Sequence, residues 1–388
     1  VLDTDNSKRM KNLDEHLDAF PYVNGKLFEE PLRIAAFDSS MRDILIQCST
    51  LDWGKISPAI FGSMFQSVMN PQERRNLGAH YTSEKNILKL IKPLFLDDLH
   101  TEFEKVKVNK KKLAEFHQKL GTLKFLDPAC GCGNFLIITY RELRLLELEI
   151  LKVLYGKQQV TSIEHIMHID VDQFFGIEYD EFPAKIAEVA LWLMDHQMNM
   201  LVSEEFGLYY ARLPLEKSAT IVHDNALTTD WQEVVPKDKL SYILGNPPFL
   251  GKKEQNKAQK DDLKQVFQGV KGAGVLDYVT AWYVLAAQYM QDTNIKAAFV
   301  STNSIAQGEQ VGILWGELFN QYHIKIHFAH RTFSWKNEAK GNAAVHVVIV
   351  GFAAFDSKQK QIFEYDDIKG ESHVLKAKNI NTYLVEGG

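Results

Sequence analysis

The stretch Lys124-Phe125-Leu126-Asp127-Pro128-Ala129-Cys130-Gly131-Cys132-Gly133 opens on a short apolar run and closes on an acid and two glycines. The apolar run, residues 124–126, reads as a buried strand. Gly131 and Gly133 permit a tight turn and a close approach of backbone to a ligand, and helical spacing begins near Phe135. Outward from this unit, short apolar runs at 174–177, 220–222, 242–244 and 297–300 alternate with long helical stretches. Such alternation predicts a mostly parallel sheet with helices on both faces. Two later β-rich runs, 324–330 and 345–352, are joined by a turn-rich segment without a helix. They read as an antiparallel hairpin closing the sheet. The expectation is an α/β, Rossmann-like domain with a mixed seven-stranded sheet.

On the amino-terminal side the spacing is helical: 38–48, then 56–69 with Pro58 near a helix start, then 83–99. Residues 71–76 form a polar break, and the lysine-rich stretch 105–112 reads as a solvated linker. These features predict a helical connector over 1–75 and a main domain over 76–388. The chain has 388 residues, 45% apolar and 24% charged, ordinary values for a globular protein. Its formal net charge of -6 does not advertise a nucleic-acid binder, so any such role must come from local basic surface. The three cysteines are too few for a disulfide framework and fit a reducing cytoplasm. No uncharged apolar run reaches membrane-spanning length, and the start carries no signal-peptide core. It also lacks an initiator Met, which reads as a piece of a larger protein.

In doubly wound sheets, ligands bind beyond the carboxyl ends of the strands, so what each strand ends in carries the chemistry. Asp127, ahead of Ala129, Gly131 and Gly133, suits a cationic cofactor better than a diphosphate. The amine and sulfonium of S-adenosylmethionine supply that charge. The second strand ends in Glu178-Tyr179, where a carboxylate can accept from both ribose hydroxyls. The third ends in Asp224-Asn225, an acceptor for an adenine amino group or, taken alone, a turn. The fourth ends in Asn246-Pro247-Pro248-Phe249, the most specific feature in the chain. Two prolines fix the backbone and remove amide donors. The Asn246 side-chain oxygen and the Pro247 carbonyl can then both accept from one amino group. That suits a poorly nucleophilic amine whose lone pair is delocalised into a ring. Phe249 offers a flat surface for a base.

Together these strings resemble the γ-class N6-adenine DNA methyltransferases, in which cofactor motifs precede the catalytic one. The resemblance implies the class I S-adenosylmethionine-dependent methyltransferase fold and double-stranded DNA with a flipped adenine as partner. It implies a cofactor motif at Gly78-Ala79-His80-Tyr81-Thr82, with His80, Tyr81 and Thr82 at the methionine end. It assigns the glycine loop to 127–133, the ribose acid to Glu178, the adenine acceptor to Asp224 and the catalytic turn to Asn246, Pro247, Pro248 and Phe249. Asp277-Tyr278 resembles a motif packing near the methionine pocket. Phe333-Ser334-Trp335 resembles the late motif whose aromatic holds the flipped base; Phe333 and Trp335 would share a strand face, and Phe333 is preferred. Asp52-Trp53-Gly54, Pro58-Ala59-Ile60-Phe61-Gly62, Tyr140-Arg141-Glu142-Leu143-Arg144 and Ile380-Asn381-Thr382-Tyr383-Leu384 extend the likeness to the MmeI-like single-chain restriction-modification enzymes. That family implies a bacterial cytoplasmic setting, with flanking nuclease and target-recognition domains.

Several signals carry less. Cys130 and Cys132 lack the spacing and second pair of a zinc site, so no metal is expected. His165 and His168 read as surface residues. Lys252, Lys253, Lys257, Lys260 and Lys264 follow the catalytic turn and suit either solvent or a DNA backbone. N4-cytosine DNA methylation and protein-glutamine methylation pose related chemical problems and are the rival enzyme readings. A DNA-specificity scaffold with a vestigial cofactor site is the non-enzyme rival.

Overall fold

The computed structural model describes residues 10–15, 36–51, 56–57, 60, 62, 82–156, 164–207, 218–335 and 345–387. The helices along the chain are α1 (Ser39–Ser49), α2 (Glu84–Ile91), α3 (Asp97–Val106), α4 (Lys110–Leu120), α5 (Asn134–Tyr155) and α6 (Glu181–Phe206). They continue with α7 (Trp231–Val234), α8 (Lys257–Val266), α9 (Thr280–Tyr289) and α10 (Gln310–Asn320). The strands are β1 (Phe125–Asp127), β2 (Phe174–Glu178), β3 (Thr220–His223), β4 (Tyr242–Gly245) and β5 (Lys296–Thr302). They end with β6 (Lys325–Trp335), β7 (Val345–Ala353), β8 (Lys360–Tyr365) and β9 (Ser372–Ala377).

The nine strands of the described residues form one sheet in the order β3-β2-β1-β4-β5-β7-β6-β8-β9. The first five pair in parallel, and β7 lies antiparallel between β5 and β6. This is the class I methyltransferase arrangement, with the seven expected strands in place. Two further strands extend it: β8 runs parallel to β6, and β9 antiparallel to β8. Leu126, Ile243, Leu244 and Phe299 are buried on a central sheet that needs cover on both sides. Helices α4, α5 and α6 pack in one series, and α8, α9 and α10 in another.

The late hairpin differs from its expected bounds. β6 continues past His330 to Trp335, because register shifts at Ile326/Phe328 and His330/Phe333 absorb residues that break strict alternation. The stretch 105–112 is no linker. It ends α3 and begins α4, whose Asn109 side chain accepts from the Lys112 N–H at 3.1 Å. Leu113, Phe116 and Leu120 recur at helical spacing and bury one face of α4, while Lys110, Lys111 and Lys112 stay exposed. The helix expected over 83–99 is interrupted by a wide π turn, Lys92–Leu96, where Pro93 has no N–H to continue the ladder. The expected helix at 38–48 is α1, capped by Asp38 accepting from the Met41 N–H. Most of 56–69 lies outside the described residues. Its described parts touch the main domain: the Ile56 carbonyl accepts from Gln197 Nε2 of α6 at 2.5 Å. A Cβ on Gly62 would sit 2.6 Å from Asn134 Nδ2 at the start of α5. Among the described residues, no helix is long and apolar enough to cross a membrane.

Candidate active site at the carboxyl ends of the strands

Backbone hydrogen bonds stitch the first three strand ends together. The Cys130 N–H donates to the Ile177 carbonyl at 3.1 Å, and the Asp224 N–H to the Glu178 carbonyl at 2.9 Å. The glycine loop adopts left-handed backbone at Gly131 (φ 55°) and Gly133 (φ 82°), as a side-chain-free turn requires. A Cβ on Gly133 would meet Ala187 of α6 at 3.0 Å, whereas at Gly131 it would project into open space. Gly131 therefore leaves open space in front of its backbone, and Gly133 is where α5 closes on α6. The Gly131 N–H donates to Glu178 Oε2 at 2.7 Å, and the Asp180 N–H to Oε1 at 3.1 Å. Glu178 is thereby aimed across the loop.

Asp127 is buried, and its Oδ1 accepts from the Ala129 N–H at 3.0 Å. Burial pushes its carboxyl up to about 8, the Ala129 hydrogen bond opposes this, and the Glu178 charge adds to it. Burial likewise raises Glu178. Two neighbouring carboxylates starved of a counter-charge make an electrostatic cradle for a cation. With the open backbone at Gly131, this donor and acceptor set fits S-adenosylmethionine. Asp224 is exposed, with its Oδ1 accepting from the Asn225 N–H at 2.7 Å. Asn225 caps the following turn through the Leu227 N–H and donates from Nδ2 to Asp262 Oδ2 at 3.4 Å. Tyr179 is exposed beside them. Cys130 and Cys132 are buried, and burial raises both thiols, Cys132 to about 12, so neither is a nucleophile. His165 and His168 are exposed, as expected.

The fourth strand delivers Asn246 next to this cradle. Gly245 is tightly placed: a Cβ there would lie 2.5 Å from Asp127 Oδ1. Asn246 is half-buried, and its Nδ2 donates to Thr82 Oγ1 at 3.0 Å, which turns the amide oxygen to the opposite side. Thr82 itself is buried. The described end of the expected amino-terminal cofactor motif thus meets the expected catalytic turn, while His80 and Tyr81 lie outside the described residues. Pro247 is buried, Pro248 half-buried and Phe249 7% exposed. Asp277 holds the far side of the turn. Its Oδ1 accepts from the Leu250 and Val279 N–H groups at 3.0 and 3.2 Å, and its Oδ2 from Thr302 Oγ1 at 3.1 Å. The Tyr278 N–H donates to the Leu250 carbonyl at 3.0 Å.

Val347 of β7 pairs with both Thr302 and Phe333, so Phe333 stands level with the carboxyl end of β5. Phe333 and Trp335 share a face as expected, with ring centroids 6.0 Å apart, and both are buried. Sequence reasoning missed Trp282, whose Nε1 donates to the Pro128 carbonyl at 3.0 Å and steadies the glycine loop from α9. It also missed Gly245, Lys89 and Tyr365. Only Gly245, directly before Asn246, carried a sequence signal.

Sheet order and strand-end chemistry together define a class I methyltransferase domain. The model of the MmeI DNA-methyltransferase domain matches residues 103–364, and the chain belongs to that family. It is 63% identical to the type IIL restriction-modification enzyme MmeI, solved in complex with DNA, with a TM-score of 0.94 over all of this chain and 52% of that one. DNA methyltransferase A of Bacillus subtilis (strain 168) is 44% identical over 380 residues, 97% of this chain and 42% of the relative. The chain therefore spans about half the length of the relatives it matches.

Proposed function

We propose that this chain is the catalytic core of a site-specific DNA methyltransferase that transfers a methyl group from S-adenosylmethionine to adenine N6. The observation that carries the reading is the Asn246-Pro247-Pro248-Phe249 turn, fixed on Thr82 at one side and Asp277 at the other, beside the Asp127 cradle. S-adenosylmethionine would supply an electrophilic methyl group on a sulfonium. Asp127, Glu178, Tyr179, Asp224, Asn225 and Thr82 would hold it, joined by the backbone of Ala129, Gly131 and Gly133 and by His80 and Tyr81.

The protein's own part is to make N6 a nucleophile. Asn246 Oδ1 and the Pro247 carbonyl accept its two hydrogens, draw the nitrogen toward tetrahedral geometry and offset developing positive charge. The target base leaves the duplex and stacks among Phe249, Phe333 and Trp335. All three are buried, so an entering base must spread them. Exposed lysines at 252, 253, 257, 260 and 264 flank the turn on the α8 side and would meet phosphates. Membership of the MmeI DNA-methyltransferase family supports DNA over protein glutamine as substrate. We assign residues 1–75 to a helical connector, place nuclease and target-recognition modules in flanking chain, and assign the protein to the bacterial cytoplasm.

The test is expression of the natural full-length protein in a host with unmodified DNA, followed by sequencing for modified bases. The reading expects N6-methyladenine at one fixed motif, and none with Asn246→Ala. Modified cytosine, or modified protein with unmodified DNA, would select a rival.

A further inference from the structure

Helix α2 touches both halves of the proposed base pocket. Two residues ahead of its first residue, Thr82 accepts from Asn246. Near its end, Lys89 Nζ lies 4.9 Å from the Phe333 ring centroid and 4.6 Å from that of Tyr365, and donates to the Tyr365 hydroxyl at 3.0 Å. Tyr365 of β8 stacks on Phe333 at 5.1 Å with planes 21° apart. His330 completes the link. Its Nε2 lies 2.9 Å from the Lys89 carbonyl, which can only accept, so Nε2 carries the proton. Its Nδ1 must then accept from the Tyr365 hydroxyl at 2.8 Å. The imidazole also stacks on Phe363 at 4.0 Å. Three elements (α2, β6 and β8) thus converge on one aromatic ring.

We propose that Lys89 and Tyr365 are positioning residues that hold Phe333 as the wall of the target-base pocket. The proposal rests on the adenine-methyltransferase reading above. An ammonium over two ring faces is attracted by the electron-rich face of each. Lys89 is half-buried here, and the Tyr365 hydroxyl fixes its direction. Only Ser83 separates Thr82 from α2, so the segment that meets Asn246 leads directly into the helix that carries Lys89. The two added strands have a purpose in this account: β8 brings the second ring.

The test compares the natural full-length protein with Lys89→Met, Lys89→Arg and Tyr365→Phe, using duplex DNA with 2-aminopurine at the target position. Lys89→Met should bind S-adenosylmethionine within about twofold of wild type while kcat falls roughly ten- to a hundredfold. Emission of the bound duplex should rise, because the extrahelical base no longer stacks. Lys89→Arg retains a cation over both rings and should restore kcat and quenching. Tyr365→Phe keeps the stacked ring and should fall between them. A Lys89→Met protein with wild-type kcat and emission would overturn the proposal. So would a fall in kcat with unchanged emission, which marks a merely structural residue. Absence of adenine methylation by the wild type would instead sink the underlying reading, and this inference with it.

Discussion

At the scale of single residues, the site is organised by carboxylates placed where they are uncomfortable without a cation. Asp127 is held up to about 8, whereas an unfolded aspartate titrates near 4. Between those values the folded chain keeps a proton that the unfolded chain has released. Asp127 therefore lowers stability as pH rises through that window, and the full penalty is present above about 8. A cationic cofactor reverses this by favouring the ionised form. Calorimetry at pH 7 in buffers of different ionisation enthalpy should show release of about one proton on S-adenosylmethionine binding. Asp127→Asn should bind more weakly and release none. Asn246→Ala, by contrast, should keep cofactor affinity within a few-fold while methyl transfer drops by about 10²–10³ or more. Equal loss of both would mean that Asn246 belongs to the cofactor site alone. The positions of Asp127 and Asn246 were legible because each lies at the end of a strand, and strand ends can be found from composition and spacing. Lys89 was not legible: it is one of many lysines, and only the fold brings it over Phe333 and Tyr365.

At the scale of elements, the glycine loop and the catalytic turn form one tight joint. A Cβ on Gly245 would crowd the Asp127 carboxylate at 2.5 Å. Gly245→Ala should cost about 1–3 kcal/mol of stability by overpacking, read as a lowered melting temperature. It should also impair both cofactor binding and transfer, unlike Asn246→Ala. Element boundaries were the part that sequence reading missed. Strand β6 outran its expected end because bulges hide alternation, and α4 replaced a supposed linker because its lysines mask a buried stripe of Leu113, Phe116 and Leu120. Strands β8 and β9 went unexpected because little in their composition marks them. Residues 372–376 of β9 lie largely exposed at the edge of the sheet, so burial imposed no apolar pattern there.

At the scale of the molecule, a net charge of -6 must be reconciled with the polyanionic substrate proposed for it. The proposed attraction is local, in exposed lysines beside the Asn246–Phe249 turn. Replacing Lys252, Lys253 and Lys257 with alanine should reduce the salt dependence of DNA binding by roughly 0.9 per lysine that contacts a phosphate. An unchanged slope would return these residues to solvent. The central claim, that the Asn246–Phe249 turn acts on adenine N6, is tested most directly by chemistry on DNA. The natural full-length protein is incubated with duplex DNA and S-adenosylmethionine carrying a deuterated methyl group, and the nucleosides are resolved by mass spectrometry. The account predicts deuterated N6-methyldeoxyadenosine, absent with Asn246→Ala. Label on deoxycytidine, or on protein with unlabelled DNA, would contradict it.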